Sequence, residues 1–344
     1  MKTPKHILVI RLSALGDVAM TVPVLKVFSE TYPEIRLTVL SKAFFKPLFE
    51  DLPNTSFLEA DVYGKHKGIG LLKLAKEIKS LKIDAVADLH NVIRSKIITQ
   101  YLSVSGIKTV RIDKGRSEKK ALTREINKNF KQLKTTHQRY ADVFSLMGFP
   151  IDLNKNIPIP AKDFTTKFQE IIGVAPKKIV GIAPFAAHKS KMYPLELMRK
   201  VISRLDSTQE YKILLFGGGD KEIDELKEIE ADFLSVHSVA GAFSFQEELA
   251  LISNLDIMVS MDSGNGHLAA LYGVPVVSLW GLTHPFAGFA PLGQPMENNL
   301  LADRTKYPLI PSSIYGNTFP EGYEAAIETV SSKTVVGKIL EILE

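Results

Sequence analysis

The sequence predicts two doubly wound α/β domains in tandem. Apolar runs of strand length alternate with amphipathic stretches through both halves of the chain, and a proline-rich stretch separates the two series. Glycine-bearing turns also follow several of the strand-like runs directly. With 344 residues, 45% apolar and 24% charged, the chain is long enough for each half to bury a sizeable core.

In the first series, HILVIRL (6–12) reads as a strand, followed by a turn and an amphipathic stretch to about Ser29. Pro23 lies inside that stretch and either kinks the helix or marks its restart, because proline donates no backbone N–H. RLTVLS (36–41) is a second strand, FFKPLFED a short helix, and SFLEADVY (56–63) another strand. GLLKLAKEIKSL (70–81) has helical apolar spacing, DAVADLH (84–90) is a buried strand, and RSKIITQYLS and KTVRID (108–113) are the next helix and strand. Such alternation implies a parallel sheet covered on both faces.

Residues 150–178 carry four prolines and no clear strand, and are read as a linker region with a short helix. The second series then begins: strand KIVGIAP (178–184), helix LELMRKVISRLD (195–206), strand YKILLFG (211–217) and helix KEIDELKEI. FLSVHSVA holds a short strand, FQEELALISNL (245–255) is a helix and DIMVSM (256–261) a strand. Helix HLAALYG, strand PVVSLWG (275–281), a loop-rich stretch over 282–320 and a last amphipathic helix (333–343) complete the chain. The expected division is a domain over 1–160, a linker over 161–177, a domain over 178–332 and a final helix over 333–344. Binding is expected in the crevice between strand C-termini.

The chain has no cysteine, which excludes disulfides and thiolate metal sites and fits a reducing compartment. The apolar run near the start is too short for a secretory signal or a membrane span, so a cytoplasmic location is expected. Net charge is +5, but residues 114–134 alone hold eight Lys/Arg against two Glu, leaving the rest near neutral. That segment suits an anionic partner (nucleic acid, a phosphorylated glycolipid or a membrane surface) or is a solvated face. No interleaved aromatics, RNA-binding signature or zinc spacing supports nucleic acid.

A Rossmann G-x-G-x-x-G after the first strand and a Walker sequence are both missing, which argues against a dinucleotide dehydrogenase or P-loop NTPase. The first turn is instead SALGD, where Gly16 allows close approach of a ligand and Asp17 stands at a helix start. Asp17 either caps that helix or does chemistry. FGGGDKEID (216–224) places three glycines between strand and helix, for a nucleotide's close approach or simply a tight turn. Glu222 there could accept hydrogen bonds from ribose hydroxyls.

In SMDSGNGHLAALYG (260–273), a helix is expected to start near His267, with Gly264 and Gly266 clearing space for an anion such as a pyrophosphate. His267 could donate to a phosphate or be a satisfied helix-start histidine, and Asp262 is expected to order its own loop. In APFAAHKSKMYP (183–194), a lysine could neutralise a phosphate, or the loop is merely basic and solvated. Neither an acidic pair nor a histidine cluster has metal-ligand spacing, so no metal is expected. Together these features suit a nucleotide diphosphate held by the second domain, with Asp17 facing it, and metal-independent glycosyl transfer.

The stretches ILVIRLSALGDVAMTVPVL (7–25), K-M-Y-P (191–194), FGGGDKE (216–222) and DSGNGHLAALYGVPVVSLWGLTHP (262–285) resemble the ADP-heptose:lipopolysaccharide heptosyltransferases, glycosyltransferase family 9. The resemblance spans most of the chain. It implies a GT-B fold, with two Rossmann-like domains facing across a cleft, the acceptor bound mainly by the first and the final helix returning to it. It also implies inverting heptose transfer from ADP-heptose to an anionic lipid-linked saccharide, at the cytoplasmic face of the inner membrane and without a cofactor.

By position, Asp17 matches the general base and Lys191 the lysine on donor phosphate. Asp262, Ser263, Gly264, Asn265, Gly266 and His267 match the donor loop, with Glu222 and Thr283 beside them. Arg11, Ser13, Gly16 and the basic residues Arg116, Lys119, Lys120 and Arg124 are expected to face the acceptor. Two departures stand out: Ala186 and Ala187 replace the family's frequent Ser or Thr, and GLTHP (281–285) replaces its GPT. An epimerase, a hydrolase or a non-catalytic nucleotide-sugar-binding protein would use the same scaffold.

Overall fold

The computed structural model describes residues 3–163, 166–173 and 177–344, so part of the expected linker over 161–177 lies outside the described residues. The first half runs β1 (His6–Ile10), α1 (Leu15–Ala19), α2 (Thr21–Thr31), β2 (Arg36–Ser41), β3 (Thr55–Glu59) and α3 (Gly70–Ser80). It continues through β4 (Ala85–Asp88), α4 (Ile93–Val104), β5 (Lys108–Arg111), α5 (Arg116–Thr123) and α6 (Thr136–Leu146). After α7 (Thr166–Ile172) come β6 (Lys178–Ala183), α8 (Leu195–Asp206), β7 (Tyr211–Leu215), α9 (Asp220–Ala231), β8 (Val236–Ser238) and α10 (Phe245–Ser253). Last come β9 (Ile257–Met261), α11 (Gly264–Leu271), β10 (Val276–Trp280), β11 (Asn299–Leu301) and α12 (Ser332–Leu343).

Two compact units result: Met1–Lys114 with Lys134–Ile157, and Gly115–Leu133 with Pro158–Glu344. Each is built on a parallel sheet, ordered β3-β2-β1-β4-β5 in the first and β11-β10-β9-β6-β7-β8 in the second. In the first, the chain moves outward from β1 to β3 and then resumes on the other side at β4, so the switch point lies between β1 and β4. In the second it lies between β6 and β9. Open parallel sheets take ligands at the carboxyl ends of such strands.

The central strands are mostly apolar, and all their residues but Lys178 are buried, because both faces are covered. In the first unit α2 and α6 share an aromatic cluster in which Phe28 meets Phe144 at 4.6 Å and Phe149 at 5.9 Å between ring centroids. Pro23 marks a restart rather than a kink: α2 begins at Thr21, and Pro23 occupies its first turn, where no intrahelical donor is needed.

Several expectations need correction. The basic segment expected in the first domain packs into the second unit, where Leu122 and Leu133 join Ala287 in a small core and Leu133 N–H donates to Phe286 O at 2.9 Å. The final helix does not leave the second unit either; Val335, Val336 and Ile339 of α12 enter the core built on β6, β7 and β9. Helix α11 starts at Gly264, three residues before the expected His267. Strand β11 pairs with the edge of β10 inside a stretch read as loop.

Candidate functional site

At the switch point of the first unit, the turn after β1 carries Asp17 near the start of α1. Arg11 Nη2 contacts Asp17 Oδ2 at 2.6 Å, and Ala14 N–H donates to the same oxygen at 3.4 Å. Asp17 therefore does cap its helix, but through one oxygen. Among the described residues nothing bonds Oδ1, and the side chain stays 30% exposed.

Arg11 was expected to face the acceptor, yet it is buried and its guanidinium is spent inside the protein. Nε donates to Ser13 O at 2.8 Å, Nη1 to Leu89 O at 2.9 Å, and the group lies 5.9 Å from the Tyr140 ring. The Tyr140 hydroxyl donates to Asp17 O at 3.3 Å. Arg11 and Tyr140 thus hold the turn that presents Asp17, with Ser13 and Gly16 partly exposed beside it.

The opposite side of this switch point is the loop after β4. Asp88 is fully buried and accepts from His90 N–H, Asn91 N–H and Ser95 Oγ at 3.0, 2.8 and 2.9 Å. The loop so ordered places His90 Nδ1 to accept from Leu12 N–H at 3.4 Å. Burial, reinforced by Arg11, Lys114 and Arg94 and opposed by Asp17, pushes the His90 pKa down to about 3. His90 is a neutral neighbour of Asp17. In the sequence, DLH (88–90) reads as a strand terminus rather than a metal site and nothing marks Tyr140, because the strand order and α6 alone bring His90 and Tyr140 to the turn.

In the second unit, the loop after β6 ends in a short 3₁₀ turn carrying Lys191. Its Nζ lies 2.7 Å from Asp262 Oδ2 and donates to Asp262 O at 3.3 Å. Asp262 follows β9, so this pair spans the second switch point. Next to it Ser263 stands at the N-cap of α11, and Gly264 and Asn265 form the first turn, partly exposed. Gly266 faces inward instead: a Cβ there would sit 2.6 Å from Ser260 Oγ, so close packing on β9 requires glycine. His267 is buried within the helix.

Thr283, past the end of β10, is buried. Among the described residues its hydroxyl has no hydrogen-bond partner, and the same holds for Ser260 and Ser263. Buried hydroxyls are ordinarily paired; Ser260 Oγ packs under Gly266 inside the fold, whereas Ser263 and Thr283 follow the ends of β9 and β10. Glu222 Oε2 accepts from Gly218 N–H at 2.8 Å and so ties down the glycine turn, in which Gly219 has φ +85°. A tight turn accounts for Gly219.

The basic acceptor candidates separate. Arg116, Lys120 and Arg124 are exposed. Lys119 is buried, with Nζ 4.3 Å from the Phe289 ring centroid, so it is a packing residue of the second unit. Lys128 likewise donates to the carbonyls of Leu309 and Pro311, and burial with Arg304 nearby lowers its pKa to about 8. Among the described residues, no three His, Asp or Glu side chains gather as a metal cage, and no helix is long and apolar enough to cross a membrane.

Two parallel-sheet units with polar loops at both switch points define a GT-B glycosyltransferase fold, which solved structures share. A glycosyl transferase family 9 structure from Veillonella parvula aligns with TM-score 0.77 at 20% identity, covering 98% of this chain and 97% of that one. Escherichia coli heptosyltransferase WaaC with ADP aligns with TM-score 0.66 at 16% identity, covering 98% and 99%. At sequence level, the family model of glycosyltransferase family 9 (heptosyltransferase) matches residues 71–310, and the chain belongs to that family. It is 25% identical over 293 residues to the lipopolysaccharide core heptosyltransferase OpsX of Haemophilus influenzae, covering 83% of this chain and 81% of that one. It is also 24% identical over 286 residues to lipopolysaccharide heptosyltransferase 3 of Escherichia coli, covering 78% and 80%.

Proposed function

We propose that this glycosyltransferase moves a heptose from ADP-heptose to a hydroxyl of an anionic lipopolysaccharide-core or related glycolipid acceptor, in one inverting step that needs no metal. Asp17 Oδ1 takes the proton of the attacking hydroxyl. The acceptor oxygen bonds to the anomeric carbon as the bond from that carbon to the diphosphate breaks, and ADP leaves with the electron pair. Lys191 and the N-terminus of α11 offset the charge gathering on the diphosphate, and Asp262 holds Lys191 in place. Ser263 and Thr283 donate to phosphate oxygens, and Glu222 receives ribose. Lys189 and His188, both exposed beside the two alanines, supply charge where the family often carries hydroxyls.

The observation that carries this reading is the half-used carboxylate of Asp17: one oxygen is fixed by Arg11 and the other is left for a substrate proton. Names of the relatives support lipopolysaccharide core synthesis. The enzyme would then work in the cytoplasm, in peripheral contact with the inner membrane where a lipid-linked acceptor is presented.

The test follows ADP release from ADP-heptose with and without lipopolysaccharide-core acceptor. Release should require acceptor, and Asp17→Asn should lose about 10³-fold in turnover, within the range for general-base catalysis, while still binding donor. Equal release without acceptor would make the protein a hydrolase. Wild-type turnover in Asp17→Asn would remove Asp17 from the chemistry.

A further inference from the structure

The first unit carries a surface that neither family membership nor the reaction explains. Ile69 and Ile93, at the starts of α3 and α4, are 86% and 78% exposed. Phe44, Tyr63, Leu72 and Ile97 are exposed as well. Connectivity places most of them together, because in a parallel sheet the segments following β2, β3 and β4 all emerge at the carboxyl edge. Phe44 follows β2, Tyr63 and Ile69 follow β3, and Ile93 follows β4. Asp17, after β1, emerges at the same edge.

Contacts join these loops. The Tyr63 ring centroid lies 5.0 Å from Lys42 Nζ and 5.0 Å from the Arg94 guanidinium. Between α3 and α4 a groove of about 550 Å³ continues the apolar surface along Leu72, Ile97 and Val104, with Lys96 in its lining. Scattered apolar residues on a surface need no explanation, but several that share one sheet edge and an adjoining groove mark an interaction surface.

Charge selects the partner. Residues 61–97 hold eight Lys/Arg against four Asp/Glu. All four acids are spent within the fold, Asp84 by accepting from Lys5 and His6 N–H at 2.9 Å each. Asp88 is buried, Glu77 contacts Lys65 at 2.9 Å, and Asp61 accepts from Gly64 and Lys65 N–H at 2.8 Å each. Lys67, Lys73, Lys76 and Lys96 are exposed around the apolar residues. Aliphatic and aromatic side chains ringed by lysines match the interface of an anionic bilayer, where apolar groups enter the acyl boundary and lysines meet headgroups.

We propose that this edge of the first unit, centred on Ile69, Ile93 and Tyr63, seats the enzyme on an anionic lipid surface. The inference rests on the lipid-linked acceptor of the proposed function for its purpose, since docking here brings the Asp17 edge to the membrane. Binding to lipid itself does not depend on that reading. The basic segment over 114–134, which sequence alone favoured for an anionic partner, lies in the second unit with Lys119 and Lys128 consumed by packing.

The experiment is cosedimentation of the full chain with vesicles of phosphatidylethanolamine and phosphatidylglycerol, against phosphatidylcholine alone. Binding should favour the anionic vesicles by at least about 10-fold and weaken as salt is raised from 50 to 300 mM. The double variant Ile69→Glu/Ile93→Glu, altering only exposed side chains, should lose about 10-fold or more in vesicle binding. Lys67→Glu/Lys96→Glu should lose a comparable amount. Both variants should turn over a water-soluble, delipidated acceptor at the wild-type rate, so loss of the docking reading and loss of the transferase reading remain distinguishable. Equal binding to both vesicle types, or wild-type binding by the Ile variant, would overturn the proposal. So would a dimer in light scattering that Ile69→Glu/Ile93→Glu dissociates, since the surface would then pair two copies of the chain.

Discussion

Each unit places one cation–carboxylate pair at the switch point of its sheet, and the pairs differ in what they leave open. Arg11–Asp17 is 2.6 Å long with the acid 30% exposed; Lys191–Asp262 is 2.7 Å long with the acid 7% exposed. In the first pair the cation is spent on two backbone carbonyls and the acid keeps a free oxygen. In the second the acid is enclosed and the cation carries the charge that a phosphate can meet. Under the proposed function, the open acid is the one that meets substrate and the enclosed acid the one that positions a lysine, so two cation–carboxylate pairs of similar length take opposite roles.

Exchanging each acid for its amide breaks this comparison most sharply. Asp17→Asn should lower turnover about 10³-fold while leaving stability within about 1 kcal/mol, because a partly exposed ion pair contributes little. Asp262→Asn should do the reverse in kind. Lys191 is left enclosed without its counter-charge, so the ligand-free protein loses on the order of 2 kcal/mol, less than the 3–5 of a fully buried pair. Thermal unfolding read with and without ADP checks it: ADP should recover more of the loss in Asp262→Asn than in Asp17→Asn. A similar ADP response in both variants would sink the division of roles.

Much of this site was legible because its parts are local strings. Gly16–Asp17 opens the helix after β1, and Asp262–His267 leads from a strand into a helix, so period and turn chemistry place them at sheet edges. The partners that give each acid its role were not legible. Tyr140 reaches Asp17 from α6, more than 120 residues away, and the Lys191–Asp262 contact depends on β6 lying beside β9. Charge runs misled for a related reason: sequence counts cations without showing which are consumed. Lys119 over Phe289 and Lys128 on two carbonyls look identical to solvated lysines. Helix periodicity showed that α12 must bury Val335, Val336 and Ile339, but not against which sheet.

A finer test concerns the enclosed hydroxyls of the second unit. Thr283 Oγ1 is buried and unpaired. Leaving such a group unsatisfied costs about 1–3 kcal/mol, so Thr283→Val, nearly equal in shape, should raise ligand-free stability by about 1 kcal/mol. If the hydroxyl meets donor phosphate, the same change should raise KM for ADP-heptose about 5- to 20-fold with a smaller change in kcat. Stability and donor affinity should move in opposite directions. An unchanged KM would make Thr283 a packing residue.

A last test concerns two of the buried histidines, His90 in the first unit and His284 in the second. Burial and Arg11 hold His90 at about 3, and burial with Arg304 and Lys128 holds His284 at about 4, both below the ordinary 6.5. Since the unfolded chain binds protons on these imidazoles below pH 6.5 and the folded chain does not, stability falls as pH drops from 6.5 toward 4. Above pH 6.5 neither histidine contributes a slope. Well below 6.5, each costs up to about 1.4 kcal/mol per pH unit. Denaturant unfolding at pH 7, 6 and 5 should show that decline, and His90→Gln or His284→Gln should each flatten it. The turnover profile between pH 6 and 8 should show no inflection that His90→Gln removes, because His90 stays neutral across it. An inflection lost in that variant would place a proton on His90 during the reaction and make it, rather than Asp17 alone, part of the proton path.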